Sequence, residues 1–327
     1  MFDMMAPYYL FNATEKANVY IVAKNSFPIV VRKGFFLLPQ ITFTQIDSLK
    51  IKPDVIVIPF LSVGDSIQQD PVIVNWIKDH HLADTKTLAV CDGAATAAAT
   101  GIFDGKPITA HASDYAGIKA QFTKPLWVQN ISVANEGNLY STAGVSNAAE
   151  GSLMVIDKLF GTDAMRSVIK DVAYPYQFAK TAHESNTFNF GDKVSVGKKI
   201  IFKKNKKLGV LLQDGINEFE LAAIMDTYNR TFPKSIESFS GNNLSIKTKY
   251  GLTLIPTGKI NSFKLDELHV VSPVSFSTSD ELIFNSAEIV KYDNLQKQYI
   301  IDACLQRIRL EYGRKFETIV KLMLDYN

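Results

Sequence analysis

Leu88-Ala-Val-Cys91-Asp-Gly-Ala94 is the stretch that decides the fold. An apolar run ends on a cysteine, and small residues from Gly93 to Thr100 then open a helix. A strand–Cys–helix turn of this kind belongs at the carboxyl end of a sheet strand, where sites in open α/β sheets lie. It is the thiol counterpart of a nucleophile elbow. Around it the pattern alternates: strand 54–59, helix 71–81, strand 86–91, helix 93–100, a short strand near 107–110, and helix 114–121. Strands with a turn over 125–141 and helix 146–160 follow, after an opening helix 2–11, strand 18–23 and a hairpin near 27–39. Alternating strands and helices predict a doubly wound, mostly parallel α/β sheet.

The second half carries a partial copy of the first at a constant offset of 217 positions. Asp3 falls on Glu220, and Arg32-Lys-Gly34 falls on Lys249-Tyr-Gly251. The strand Val55–Pro59 matches Leu268–Pro273 after a three-residue deletion. Such self-similarity is architectural evidence. The copy begins with a buried-type strand, Lys207–Gln213, an Asp214-Gly215 turn and helix 218–230. The first copy starts inside the equivalent helix at Met1, so a leading strand is expected upstream. The second copy ends in helical periodicity from about 295 to 324 and lacks a cysteine elbow. The reading divides the chain into 1–171, a connection over 172–206 that is aromatic and then basic, and 207–327.

At 327 residues with 46% hydrophobic and 21% charged residues, the chain suits a globular protein of about two domains. A net charge of +2 implies neither nucleic acid nor an anionic membrane as partner on charge alone. No basic cluster marks a DNA-reading helix. Two distant cysteines, Cys91 and Cys304, argue against a disulfide framework and fit a reducing compartment. With no apolar run long enough to span a bilayer and no visible leader, a cytoplasmic location is expected. An export signal or anchor upstream of Met1 stays open. His80-His81, His183 and His269 lack metal-ligand spacing, and no glycine-rich phosphate loop is present, so neither metal nor cofactor is expected.

Cys91 is the candidate nucleophile, its thiolate favoured by the helix N-terminus at Gly93. A buried small hydrophobe is the plain alternative. The neighbouring carboxylate of Asp92 would oppose the thiolate if turned inward. His111, 20 positions after Cys91, is a candidate general base or hydrogen-bond partner. The amides of Asp92 and Gly93 are candidate oxyanion donors. Gly144, in the Ala143-Gly-Val145 turn, is expected to shape the pocket wall.

These segments resemble a known superfamily. Ala89-Val-Cys-Asp-Gly-Ala94, Gly101-Ile-Phe-Asp-Gly-Lys-Pro-Ile-Thr-Ala-His111 and Tyr140-Ser-Thr-Ala-Gly-Val145 are similar to ThiJ/PfpI proteins. The nearest branches look like the amidase-like domain of AraC-type regulators and the isocyanide hydratases. The resemblance implies a flavodoxin-like, class I glutamine amidotransferase-like fold. It also implies an acidic residue on the first helix near the cysteine, a role that falls on Asp3. Asp92, Ala110 and Ala112 depart from the usual pattern and leave the substrate open. The implied activity is cysteine-dependent hydrolysis, hydration or amide cleavage of a small molecule. The alternative is a ligand- or redox-sensing module without turnover. Relatives often pair, so a homodimer, or the second copy acting as an internal mate, is expected.

Overall fold

Sheet order explains where the elbow sits. The computed structural model describes residues 1–32, 34–61, 69–203, 205–241, 244–258, 264–271, 280, 283–292 and 298–327. Two compact units divide the chain. One comprises Phe2–Val19, Phe43–Asn189 and Lys321–Asn327; the other comprises Met1, Tyr20–Thr42 and Phe190–Val320. Tyr20–Thr42 therefore folds with the C-terminal part of the chain, across the boundaries read from sequence.

In chain order the first elements are α1 (Phe2–Asn12), β1 (Val22–Ala23), β2 (Ile29–Arg32), β3 (Phe35–Leu38), β4 (Ile41–Thr42) and α2 (Phe43–Ser48). Next come β5 (Val55–Ile58), α3 (Pro71–His80), β6 (Lys86–Ala89), α4 (Gly93–Thr100), β7 (Pro107–Ile108) and α5 (Tyr115–Gln121). They are followed by β8 (Leu126–Trp127), β9 (Val133–Glu136), β10 (Leu139–Thr142), α6 (Ala148–Phe160) and α7 (Thr162–Asp171). Then come α8 (Phe190–Phe202), β11 (Lys207–Leu212), α9 (Glu218–Asn229), β12 (Ser235–Ser240), β13 (Ile246–Lys247) and β14 (Thr253–Ile255). The chain closes with β15 (Glu267–Val270), β16 (Glu288–Lys291), α10 (Ile300–Tyr312) and α11 (Arg314–Leu324).

The strand expected at 18–23 shrinks to two residues, and the connection 172–206 contains the 13-residue helix α8. Ser272, Pro273 and the helical start near 295 lie outside the described residues.

In the elbow unit the sheet runs β5-β6-β10-β9, with β5, β6 and β10 parallel and β9 antiparallel. Ile56, Ile58 and Ala89 pack with Phe103 and Ile108 into one apolar layer. That burial is the dominant favourable term holding α4 against the sheet. Helix boundaries follow local chemistry. Asp70 caps α3 by accepting from Val72 N–H, with Pro71 preset at the first helical position. Gly101 ends α4 at φ +78°, a left-handed cap that glycine takes without steric cost.

The other unit has an all-parallel sheet, β12-β11-β15-β16. Counted along the chain that is order 2-1-3-4, the flavodoxin-like arrangement. Asn217 caps α9 by accepting from Phe219 and Glu220 N–H groups. A second, antiparallel sheet runs β13-β14-β3-β2, so the N-terminal hairpin is built into this unit. Gly34 and Gly251, partners at the 217 offset, both adopt φ +87°. The fold class is α/β with parallel sheets. Among the described residues, no helix is long and apolar enough to cross a membrane.

Candidate active site

β6 ends at Ala89, and the chain turns at once. Val90 N–H still donates to Ile58 O (2.9 Å), which keeps the bend registered on β5. Cys91 then adopts φ +55°, the left-handed region that a non-glycine residue takes at some steric cost. Cys91 N–H donates to Thr142 Oγ1 (3.2 Å), tying the bend to the end of β10. The thiol-bearing residue is buried, at 6% exposure. Thr142 is itself buried, so Thr142→Val leaves the Cys91 amide without that acceptor. A loss of about 1–2 kcal/mol is expected in urea denaturation; an unchanged midpoint would show that the tie contributes nothing.

Asp92, read from sequence as an oxyanion donor through its amide and as a carboxylate that opposes the thiolate if turned inward, is also a hub of contacts. Its carboxyl accepts from the backbone N–H of His111 and hydrogen-bonds Asp114. It therefore binds the loop carrying His111 to the elbow. Burial first, then the charges of Asp114 and Asp3, push its pKa up to about 8 from 3.8. Near neutral pH it is the protonated acid, and its charge does not oppose the neighbouring thiolate. Asp3, on α1, is buried and accepts from Phe60 N–H (3.1 Å), the amide just past β5. Asp3 and Asp92 are close enough to feel each other's charge.

His111 is buried, with Nδ1 2.7 Å from Ser113 Oγ. Ser113 Oγ donates to Asp114 Oδ2 (2.7 Å). The Ser113 backbone N–H also donates to His111 Nδ1 (3.2 Å), so Ser113 holds the imidazole through both its amide and its hydroxyl, and the hydroxyl leads on to Asp114. Ser113, Asp114 and Thr142 were not singled out from sequence. The usable signal was Asp114, an acidic residue three positions after His111 at the start of α5.

Two expectations need correction. The Gly93 amide is not an open oxyanion donor, because it donates to Val90 O (2.9 Å) inside the turn. The Asp92 amide stays as the candidate. The Gly144 turn is covered by chain: a Cβ there would lie 2.0 Å from Asp325 Cβ. Ser146 N–H donates to Leu324 O (3.1 Å), and Asp325 pairs with buried His183 at 2.9 Å. Beside this seam Glu150 accepts from Tyr174 Oη (2.8 Å), and burial raises its pKa to about 7. Among the described residues, no group of three or more His, Cys, Asp or Glu is placed to hold a metal ion.

Residues 1–158 match the model of the DJ-1/PfpI family. An isonitrile hydratase of Pseudomonas putida is 23% identical over 172 residues, covering 53% of this chain and 72% of that protein. The Drosophila melanogaster protein dj-1beta is 24% identical over 142 residues, covering 43% of this chain and 73% of that protein. A crystal structure of an AraC family transcriptional regulator from Pseudomonas putida superposes with a TM-score of 0.44 at 13% identity, over 52% of this chain and 92% of that one. With Cys91 on the bend after β6 and the family match running from α1 into α6, the region 1–158 belongs to the DJ-1/PfpI family.

Proposed function

We propose that the region 1–158 is a cysteine-dependent hydratase or hydrolase acting on a small molecule with an electrophilic carbon. The observation that carries this is the left-handed Cys91 at the strand–helix bend, beside an acid hub that fixes His111. Positive φ at a non-glycine residue costs energy and clusters at functional sites. In this reading Cys91 Sγ adds to the electrophilic carbon, and Asp3 or His111 delivers a proton to the adduct. For hydration, water then adds to the same carbon, the C–S bond breaks and the thiolate is regenerated. For hydrolysis of an amide, the C–N bond breaks first, the amine leaves with the delivered proton, and water then displaces the thiolate from the acyl carbon. For an isonitrile, the substrate named for one relative, the net change is addition of one water to give an N-substituted formamide. The Asp92 amide is the donor for developing negative charge. Glu220, the register counterpart of Asp3, has no equivalent cysteine, so the chemistry is assigned to the first region.

The test is the pH dependence of Cys91 alkylation by iodoacetamide, read by intact mass with Cys91→Ser as control. It is followed by turnover assays on isonitriles, amides and reactive carbonyls. Alkylation with a midpoint well below the free-thiol value of about 8.5, together with turnover lost in Cys91→Ser, is the expected result. Asp3→Asn should lower turnover by about 10²–10⁴-fold while alkylation persists, if Asp3 moves the proton. The rival reading is a ligand- or redox-sensing module, favoured by the closed Gly93 amide and the buried thiol. Reactive alkylation without turnover of any of these substrates would select it, and a thiol inert across the pH range would remove both.

A further inference from the structure

Helix α8 is built inside out. Its buried residues are charged: Asp192 and Lys199, at 8% and 5% exposure. Lys199 Nζ donates to the Thr231 and Phe232 carbonyls and to Asn205 Oδ1, which anchors that face of the helix to its unit. The opposite face holds Phe190, Val194 and Ile201, at 80%, 39% and 73% exposure. At 100° per residue these three positions and Gly197 fall within a stripe about 60° wide. Phe202, at 79% exposure, extends the apolar surface at the helix end. Exposed lysines flank the stripe: Lys193 on one side and Lys198 on the other, with Lys203 following.

Burying charge while exposing phenylalanine costs free energy in water on both counts, so the outward face calls for an occupant. Segment 190–207 holds seven lysines against one aspartate, a charge of +6 in a chain whose net charge is +2, so the remainder is acidic. Lys206 is committed to Glu267 and Glu311, which leaves Lys193, Lys198 and Lys203 as the outward charges. Two copies packed stripe to stripe would bring these lysine rows together. An anionic surface instead satisfies both features, since the apolar stripe enters the interface while lysine stems extend and place their ammonium groups among the headgroups.

We infer that α8 is an interfacial membrane-docking helix that lays Phe190, Val194, Ile201 and Phe202 into a bilayer of anionic lipid. The experiment is co-sedimentation of the full chain with vesicles of phosphatidylglycerol and phosphatidylcholine in equal parts, against pure phosphatidylcholine. Partition onto the anionic vesicles is expected, weakened in high salt. Lys193→Ala and Lys198→Ala should each lower it about fivefold. Phe190→Ser with Ile201→Asp should lower it at least ~10-fold by removing apolar area. These side chains are exposed, so the thermal melt should be unchanged; if the double variant fails to fold, Phe202→Ser alone takes its place. No partition onto anionic vesicles, or equal partition by the variants, overturns the inference. So does a dimer in sedimentation velocity that Ile201→Asp dissociates while vesicles bind nothing.

Discussion

Asp92→Asn stabilises the protein at pH 9 while changing it little at pH 4. The folded-state pKa of Asp92 is raised to about 8 from 3.8. The native state therefore keeps a proton that the unfolded chain releases above about pH 4. By linkage, the stability this group contributes is fully present below its unfolded pKa and is lost as pH rises through its folded pKa. Over that window the loss is on the order of 5 kcal/mol at 1.4 kcal/mol per unit. Asparagine cannot ionise, yet it keeps an acceptor for the His111 amide and a donor for Asp114. Urea midpoints from pH 4 to 9 should diverge, the wild type falling away from the variant on the alkaline side. Glu150, raised to about 7, bends both curves alike, so their difference isolates Asp92. Parallel curves would mean that Asp92 is not the half-buried, protonated acid described above. The site responds as well: as Asp92 ionises on approach to about pH 8 the wild type gains a carboxylate beside Cys91, so the upper part of its alkylation curve should be flatter than in Asp92→Asn.

Gly93→Ala removes most of the stability of the elbow unit. A Cβ on Gly93 would lie 2.1 Å from Ile58 O and 2.9 Å from Pro59 O. Both obstacles are backbone at the end of a buried strand, so neither can rotate away. To relieve the clash, α4 must lift off β5 and open the layer that Ile58 and Ala94 share. A loss of about 3–5 kcal/mol is expected, from steric overlap and the void left behind. Gly197→Ala is the control. A Cβ there meets nothing within 4 Å in a helical position, so the substitution should stabilise by about 0.5–1 kcal/mol. Denaturant unfolding of both variants checks the pair; a Gly93→Ala protein as stable as wild type would show that α4 does not pack this tightly.

The parts of this molecule legible in the sequence are those governed by local chemistry. Small residues after Cys91 marked α4 to the residue, because Gly93 must clear a strand and Gly101 must turn left-handed. Apolar runs marked β5, β6, β11 and β15, because strands buried on both faces need continuous apolar residues. Cys91 and His111 could be named as candidates from pattern, and Asp3 from the resemblance. The rest depended on partners distant in the chain. Periodicity says which face of an element is buried, never against what. From sequence the Asp92 amide could be read as an oxyanion donor and its carboxyl set only against the neighbouring Cys91; its role as the hub emerged when folding delivered the His111 amide and Asp114 to that carboxyl. Asp325 reaches Gly144, and Tyr20–Thr42 joins Phe190–Val320, through contacts that no local signal encodes. Helix α8 reads as a basic connection in the sequence; only the fold, by turning Lys199 inward, decided that its apolar stripe faces out. Local sterics and hydrophobic period were thus set by the chain itself, whereas the protonation of Asp92 and the orientation of α8 were decided by desolvation and long-range pairing in the tertiary structure.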